Sequence, residues 1–221
     1  MEAGNPLLDD YVLSLASGDR PRVCFLPSAS GDADHYIVRF YRAFPPARCD
    51  SSHVSLFRRD HGGDPTEHLL EQDVIYVGGG SVLSLLGTWR AHGIDTVLRE
   101  CWERGVVLCG VSAGSLCWFA ESVTAFHGRP KRADGLGLLP HSNCVHYDGE
   151  PARREEYRRF VGDGMSSGYA ADDGAALHFV GDDLHEVVSS RPAARAYRVE
   201  PGSETPLHAR YLRDVPVEAA A

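Results

Sequence analysis

The chain has 221 residues, of which 43% are hydrophobic and 24% are charged. These proportions are ordinary for a globular protein with a buried core, and they exclude collagen-like, disordered and disulfide-scaffold classes. The formal net charge is −9 at pH 7, which on average repels a phosphate backbone or an anionic membrane. We therefore expect neither nucleic acid nor a membrane as a partner.

The sequence shows no membrane span and no secretion signal. It lacks a run of about 18 apolar residues, and its first residues lack the basic and then apolar pattern of a signal peptide. We therefore expect a cytoplasmic protein, in which six cysteines are too few for a disulfide framework. Cys24, Cys109 and Cys144 lie in apolar runs and are predicted to be small buried residues.

The first half of the chain alternates short apolar runs with helical patterns. In chain order these predict strands at 22–27, 54–57, 73–77 and 105–111, and helices at 34–44, 81–90, 96–104 and 113–119. Leu83, Leu86 and Trp89 are expected on one face of the helix that Ser81 caps. This alternation predicts an α/β fold, a mostly parallel sheet with helices on both faces.

The second half has more turns and shorter apolar runs. Brief strands are predicted at 143–147, 174–180, 186–189 and 196–199, with a surface helix at 150–160. We expect these strands to be antiparallel or mixed, at an edge of the sheet. The chain is interpreted as one domain spanning residues 1–221, with frayed residues at 216–221.

A serine framed by two glycines follows the fourth predicted strand. Gly110-Val-Ser112-Ala-Gly114 allows a sharp strand-to-helix turn that exposes the serine hydroxyl at the carboxyl edge of the sheet. The turn also places the amide of Ala113 at a helix N-terminus, where it can hold an oxyanion. A serine that only caps a turn is the structural alternative, but the strand–turn–helix context favours Ser112 as a nucleophile.

Three consecutive glycines, Gly78 to Gly80, end the third predicted strand. They do not fit the Gly-x-Gly-x-x-Gly pattern of a dinucleotide site. Glycine lets backbone approach a ligand with its amides exposed, so the loop is a candidate second oxyanion donor beside Ser112. A plain tight turn is the alternative.

A nucleophilic serine needs a histidine base and an acid that fixes the imidazole tautomer. His146 ends a short apolar strand, a place where functional residues of α/β folds gather. His178 lies within a strand and His185 in a loop. Spacing alone leaves four candidate acids open: Asp134, Asp148, Asp172 and Asp173.

Three motifs in order resemble those of peptidase E, the aspartyl dipeptidase family of serine peptidases, which is related to cyanophycinase. They are Val77-Gly-Gly-Gly-Ser-Val-Leu-Ser-Leu-Leu, Gly110-Val-Ser-Ala-Gly-Ser, and Leu136-Gly-Leu-Leu-Pro with His146 six residues further on. The match runs from about residue 22 to 200. The resemblance implies a glutamine-amidotransferase-like fold.

The resemblance also implies a triad in the chain order serine, histidine, acid. Ser112 corresponds to the nucleophile and His146 to the general base. The acid falls in the turn at 171–174, where dipeptidase-type members carry Glu; Asp173 is our choice and Asp172 the alternative. The implied oxyanion amides are those of Gly80 and Ala113.

Function is predicted as hydrolysis of short peptides, with dipeptides that begin with Asp among the candidates. The resemblance implies no metal or organic cofactor, a small peptide as substrate, and a homodimer. Arg129, Lys131 and Arg132 form a basic cluster that could read a substrate carboxylate, although a solvated loop is the simpler interpretation.

Other functions remain open. A relative without Asp-X activity could act on other peptides or on β-aspartyl peptides, or could serve as a non-catalytic binding protein. An α/β-hydrolase esterase would order its triad serine, acid, histidine, and would here use His178 or His185 as the base.

Overall fold

The computed structural model describes residues 1–2, 4–58, 64–126 and 128–213. Its helices are α1 Leu7–Ser14, α2 Asp34–Ala43, α3 Pro65–Leu70, α4 Val82–His92, α5 Ile94–Glu103, α6 Ala113–Leu116 and α7 Pro151–Gly162. Within these ranges, none of the helices has the length and apolar character needed to cross a bilayer. The frayed end expected at 216–221 lies outside the described residues.

The strands fall into three sheets. The strands are β1 Arg22–Leu26, β2 Asp50–His53, β3 Val74–Val77, β4 Val107–Gly110, β5 Phe119–Thr124, β6 Lys131–Asp134, β7 Leu139–Val145, β8 Gly168–Ala171, β9 Ala175–Val180, β10 Asp183–Ser189, β11 Ala196–Glu200, β12 Ser203–Leu207 and β13 Ala209–Tyr211.

The first sheet is parallel throughout, in the order β2-β1-β3-β4. Alternate side chains of β1 enter different cores, as the two-residue repeat of a strand requires. Cys24 and Leu26 pack with α3, α4, α5 and α6, whereas Val23 and Phe25 pack with α1 and α2. Helices therefore cover both faces, and the predicted α/β class is confirmed.

The second strand lies earlier than predicted, at Asp50–His53 and not at 54–57. It pairs only with β1, at the edge of the sheet, where polar side chains can face water. Val54 follows the strand, is buried, and still donates its amide to the carbonyl of Phe25 at 3.0 Å. The apolar side chains that suggested a strand thus belong to the connection after it.

Helix α4 begins where its sequence predicts. Ser81 Oγ accepts the amide of Ser84 at 3.2 Å, which confirms the cap. Leu83, however, is 42% exposed, so its expected place on the buried face is wrong, because that face begins at Val82. The buried residues of the helix are Val82, Leu85, Leu86 and Trp89.

The strands of the second half are mixed, as predicted, and form two sheets of their own. One has the order β12-β11-β8-β7-β5-β6, and the other has the order β13-β10-β9. The helix expected at 113–119 is shorter, because the chain leaves α6 after Leu116 and enters β5 at Phe119. The helix expected at 150–160 is α7, which buries one narrow face through Tyr157 and Val161.

The six cysteines are free. Cys24 and Cys144 are fully buried, as predicted, and burial raises the pKa of each thiol to about 12, so both stay protonated. Cys109 is only partly buried, because β4 is an edge strand, so the prediction of a buried residue is wrong there.

Gly114 provides the sharpest test of how the sheet and α6 fit together. A Cβ built on it would lie 2.3 Å from the carbonyl oxygen of Val77, a backbone atom that cannot rotate away. We expect Gly114→Ala to lower the free energy of unfolding by about 2–3 kcal/mol in urea denaturation, as overpacking does.

Gly87→Ala is the matched control, because a Cβ built on Gly87 in α4 has nothing within 4 Å. It should raise the free energy of unfolding by about 0.5–1 kcal/mol, the usual gain from Ala over Gly in a helix. Equal effects of the two substitutions would contradict the packing described here.

Candidate active site

Ser112 lies at a sharp turn between β4 and α6, in the strand–turn–helix context that the sequence predicts. Its backbone has φ 55° and ψ −115°, a conformation that costs a non-glycine residue about 1–3 kcal/mol. The flanking glycines make the turn possible, because a Cβ built on Gly110 would lie 2.3 Å from the carbonyl oxygen of Gly114. The turn leaves the serine at the carboxyl edge of the parallel sheet.

His146 lies beside Ser112 although it belongs to a different sheet. It follows β7 directly, with φ 57°, and its Nε2 is 3.0 Å from Ser112 Oγ. The other ring nitrogen, Nδ1, is 2.6 Å from Asp173 Oδ1. The three side chains form one hydrogen-bonded series, in which Nδ1 donates to the carboxylate and Nε2 accepts from the hydroxyl.

Parallel pairing explains how residues far apart in sequence meet here. Val145 at the end of β7 pairs with Ala171 at the end of β8, so the residues that follow both strands emerge side by side. His146 is one residue beyond its strand and Asp173 is two beyond its own.

The structure separates the two adjacent aspartates in this turn. Asp173 faces His146, and its amide donates to Asp148 Oδ1 at 2.9 Å. Asp172 turns inward, where its Oδ2 accepts the amide of Arg195 at 3.0 Å and burial raises the pKa of its carboxyl. Asp148 thus stabilises the turn by accepting the hydrogen bond of the Asp173 amide, a role that the sequence did not reveal.

Asp134 lies elsewhere. It is on β6 and pairs with Glu121 of β5, at the outer edge of the six-stranded sheet. It is not among the residues that line the cavity at Ser112. Of the four acids left open by spacing, the structure brings only Asp173 to the imidazole.

The glycine loop after β3 lies against the serine. A Cβ built on Gly79 would be 3.4 Å from Ser112 Cβ, whereas one built on Gly80 would collide with the carbonyl of Ala29. The amides of Gly79, Gly80 and Ala113 make no hydrogen bond to another part of the described chain. Amides without internal acceptors at such a turn can serve as oxyanion donors.

Ser112, His146 and Asp173 open onto a cavity of about 1010 Å³. Tyr36 of α2 is part of its wall, and its hydroxyl would lie 3.8 Å from a Cβ built on Gly79. No pattern in the sequence of α2 distinguishes a core tyrosine from one at a cavity.

Two arginines line this cavity, and they differ in their partners. Arg191 donates to Glu2 at 2.7 Å. The guanidinium of Arg39 lies 5.5 Å from the ring centroid of Tyr36, and it has no carboxylate partner within the described ranges. Of the two arginines, Arg39 is therefore the one whose guanidinium lacks a carboxylate partner among the described residues.

The basic cluster that the sequence suggested does not line this cavity. Arg129, Lys131 and Arg132 are absent from its wall, and Arg132 instead donates to the carbonyl of Asp163 at 3.2 Å, beyond the end of α7. These cations agree with the simpler interpretation of a solvated surface.

The histidines required by the esterase alternative are engaged elsewhere. His178 Nδ1 is 2.7 Å from the hydroxyl of Tyr11, which in turn donates to Glu186 at 2.5 Å. His185 lies at an irregularity in the pairing of β9 with β10, beside His178. The structure places His146, and neither of these two, at the serine.

Comparison with known proteins supplies the family. Residues 1–187 match the model of peptidase family S51. The peptidase YgaJ of Bacillus subtilis is 48% identical over 217 residues, which cover 96% of this chain and 94% of YgaJ. Peptidase E of Streptomyces coelicolor is 28% identical over 204 residues, 86% of this chain and 81% of that protein.

The fold also has a solved counterpart. The crystal structure of a peptidase from an acI-B1 actinobacterium superposes with a TM-score of 0.72 at 20% identity, covering 92% of this chain and 89% of that one. The resemblance to peptidase E drawn from three motifs is thereby confirmed. The chain belongs to peptidase family S51, and it is a peptidase.

Proposed function

We propose that this chain is a serine-type peptidase that hydrolyses short peptides, including dipeptides that begin with Asp. The observation that carries the proposal is the hydrogen-bonded series from Asp173 through His146 to Ser112, with distances of 2.6 Å and 3.0 Å. Both links fall within the range expected of a nucleophile, its base and the group that orients the base.

In the proposed mechanism, Ser112 Oγ attacks the carbonyl carbon of the scissile peptide bond. His146 Nε2 takes the hydroxyl proton and then delivers it to the leaving amine, which departs from an acyl-enzyme. Water, activated by the same imidazole, hydrolyses the acyl-enzyme and restores the serine. Asp173 keeps the second proton of the ring on Nδ1, so that Nε2 is free to accept.

The tetrahedral intermediate carries a negative charge on the former carbonyl oxygen. The amides of Gly80 and Ala113 are the donors we assign to it, one from each loop that flanks Ser112. Loss of one such donor typically raises the barrier by about 2.7–4 kcal/mol. Their contribution is electrostatic and depends on the fixed turn that holds them.

Preference for an acidic first residue is supported by Arg39. Its guanidinium stands at the cavity rim without a carboxylate partner in the described part of the chain, whereas Arg191 is already paired with Glu2. A guanidinium is suited to a planar carboxylate, which it can bind with two parallel hydrogen bonds. We assign to Arg39 the side chain of a substrate's N-terminal Asp.

The proposal predicts cleavage of Asp-Ala by the unmodified enzyme and its loss in Ser112→Ala. The loss should exceed a thousandfold in kcat/KM, since the nucleophile is removed. Ser203→Ala, at an exposed position on β12, should retain full activity. Release of free amino acids from a panel of Asp-Ala, Glu-Ala, Ala-Ala and β-Asp-Ala measures both variants.

The same panel separates the alternatives. Cleavage of β-Asp-Ala alone would replace the α-peptide assignment, and cleavage of none would favour a binding role. Activity that survives in Ser112→Ala would contradict the mechanism altogether.

Arg39→Ala should raise KM for Asp-Ala about tenfold with little change in kcat, as expected for loss of one partly exposed charge-assisted contact. Hydrolysis of Ala-Ala should not change. Arg42→Ala is the control, because Arg42 is exposed on the same helix but is absent from the cavity wall. Equal losses for Asp-Ala and Ala-Ala in Arg39→Ala would contradict the assignment.

A further inference from the structure

Two strand edges border the cavity that Ser112 opens onto. Strand β4 is the last strand of the parallel sheet, and β9 is the last strand of the three-stranded sheet. Within the described residues, neither pairs with a further strand on its outer side. Unpaired N–H and C=O groups on such an edge are a template for an additional strand.

The cavity follows both edges over their full length. Its wall includes every residue from 105 to 112, which covers β4, and every residue from 171 to 181, which covers β9. Alternate side chains of a strand point to opposite faces, so unbroken runs of residues mean that the backbones themselves face the cavity. All four residues of β4 are only partly buried, although a strand of a parallel sheet is usually covered.

The space between the edges has apolar walls on both faces. Val12 and Leu8 of α1 lie on one face, and Trp118, Phe119 and Leu139 lie on the other. Its volume of about 1010 Å³ is at the upper end for small-molecule sites, which typically span about 300–1,000 Å³. A dipeptide at Ser112 would leave most of it empty.

We propose that this gap receives the part of a peptide substrate that follows the scissile bond, as an additional strand between β4 and β9. The inference rests on the proposed function, because Arg39 then holds the side chain of the first residue and Ser112 attacks the bond after it. The bond that breaks is still the first peptide bond, and water supplies the hydroxyl and the proton of the two products. The enzyme would thus remove the first residue from peptides of several residues.

The direction of the added strand follows from the fold. Strand β4 runs toward Ser112, and β9 runs away from Asp173. A peptide with its first residue at Ser112 would therefore run antiparallel to β4 and parallel to β9. The four residues of β4 extend over about 13 Å at about 3.3 Å per residue, which fits about four residues after the scissile bond.

The first test is a length series of Asp-(Ala)n peptides with n from 1 to 6, cleaved by the unmodified enzyme. We expect kcat/KM to rise at least tenfold between n = 1 and n = 4 and then to level off. A value that is flat or that falls with length would overturn the proposal.

Peptide binding to the Ser112→Ala variant tests the strand site independently of the proposed peptidase activity. Calorimetry should show at least tenfold tighter binding of Asp-(Ala)4 than of Asp-Ala, and N-methylation of the amides after the first bond should abolish the difference. That result would support the strand site even if the enzyme cleaved nothing. Suppose instead that Asp-Ala is cleaved but that binding neither tightens with peptide length nor weakens on N-methylation. That result would leave the proposed peptidase activity standing and would overturn the strand site.

A variant that obstructs the gap gives an independent reading. Ala176 is partly buried on β9 and lines the cavity, and Ala176→Trp should remove the dependence of kcat/KM on peptide length. Val38→Trp, at a 47% exposed position outside the cavity wall, should leave the length dependence unchanged. A change of oligomeric state in Ala176→Trp, seen by light scattering without any change in peptide binding, would assign the gap to a second copy and overturn the proposal.

Discussion

Close backbone contact at the end of β4 is the constraint on which the candidate site depends. Gly114 at the start of α6 lies against the carbonyl of Val77, and the amide of Val111 donates to that same oxygen at 3.1 Å. The chain can turn this tightly only because no side chain occupies the space. Ser112 is thereby held at φ 55°, and the surrounding packed residues sustain that unfavourable conformation. Its hydroxyl is consequently presented at the sheet edge, where it lies 3.0 Å from His146 Nε2.

The imidazole of His146 and the carboxylate of Asp173 approach this hydroxyl from a second sheet, so the candidate site spans the contact between two layers of the fold. The imidazole and the carboxylate are 35% and 47% exposed, which leaves their mutual attraction screened by water. The pair therefore does little to stabilise the fold. The positions of His146 and Asp173 are instead fixed by buried neighbours on each strand. These are Val145 at the end of β7, in the main core, and Ala171 at the end of β8.

Periodicity was sufficient for β1, β3 and β4 and for the helices α2, α4 and α5 between them, but it did not predict α1 or α3. It failed at β2, whose polar sequence is tolerated only because the strand lies at an edge. The sharp turn at Ser112 was predictable from its two glycines, and the motif spacing indicated that His146 belongs beside it. Sequence patterns did not distinguish Asp172 from Asp173 in the same way, because the conformation of the turn determines which carboxylate faces outward. The sequence also did not predict that Tyr36 and Arg39 line the cavity, because a cavity wall is assembled from elements distant in the chain.

The most direct test of the account is covalent labelling with a fluorophosphonate, followed by peptide mapping. We expect one adduct, on Ser112 and not on the neighbouring Ser115, formed about a hundredfold or more faster than in His146→Ala, in line with the usual contribution of a general base. Labelling at another residue, or an equal rate in His146→Ala, would contradict the assignment of Ser112 and His146 as nucleophile and base.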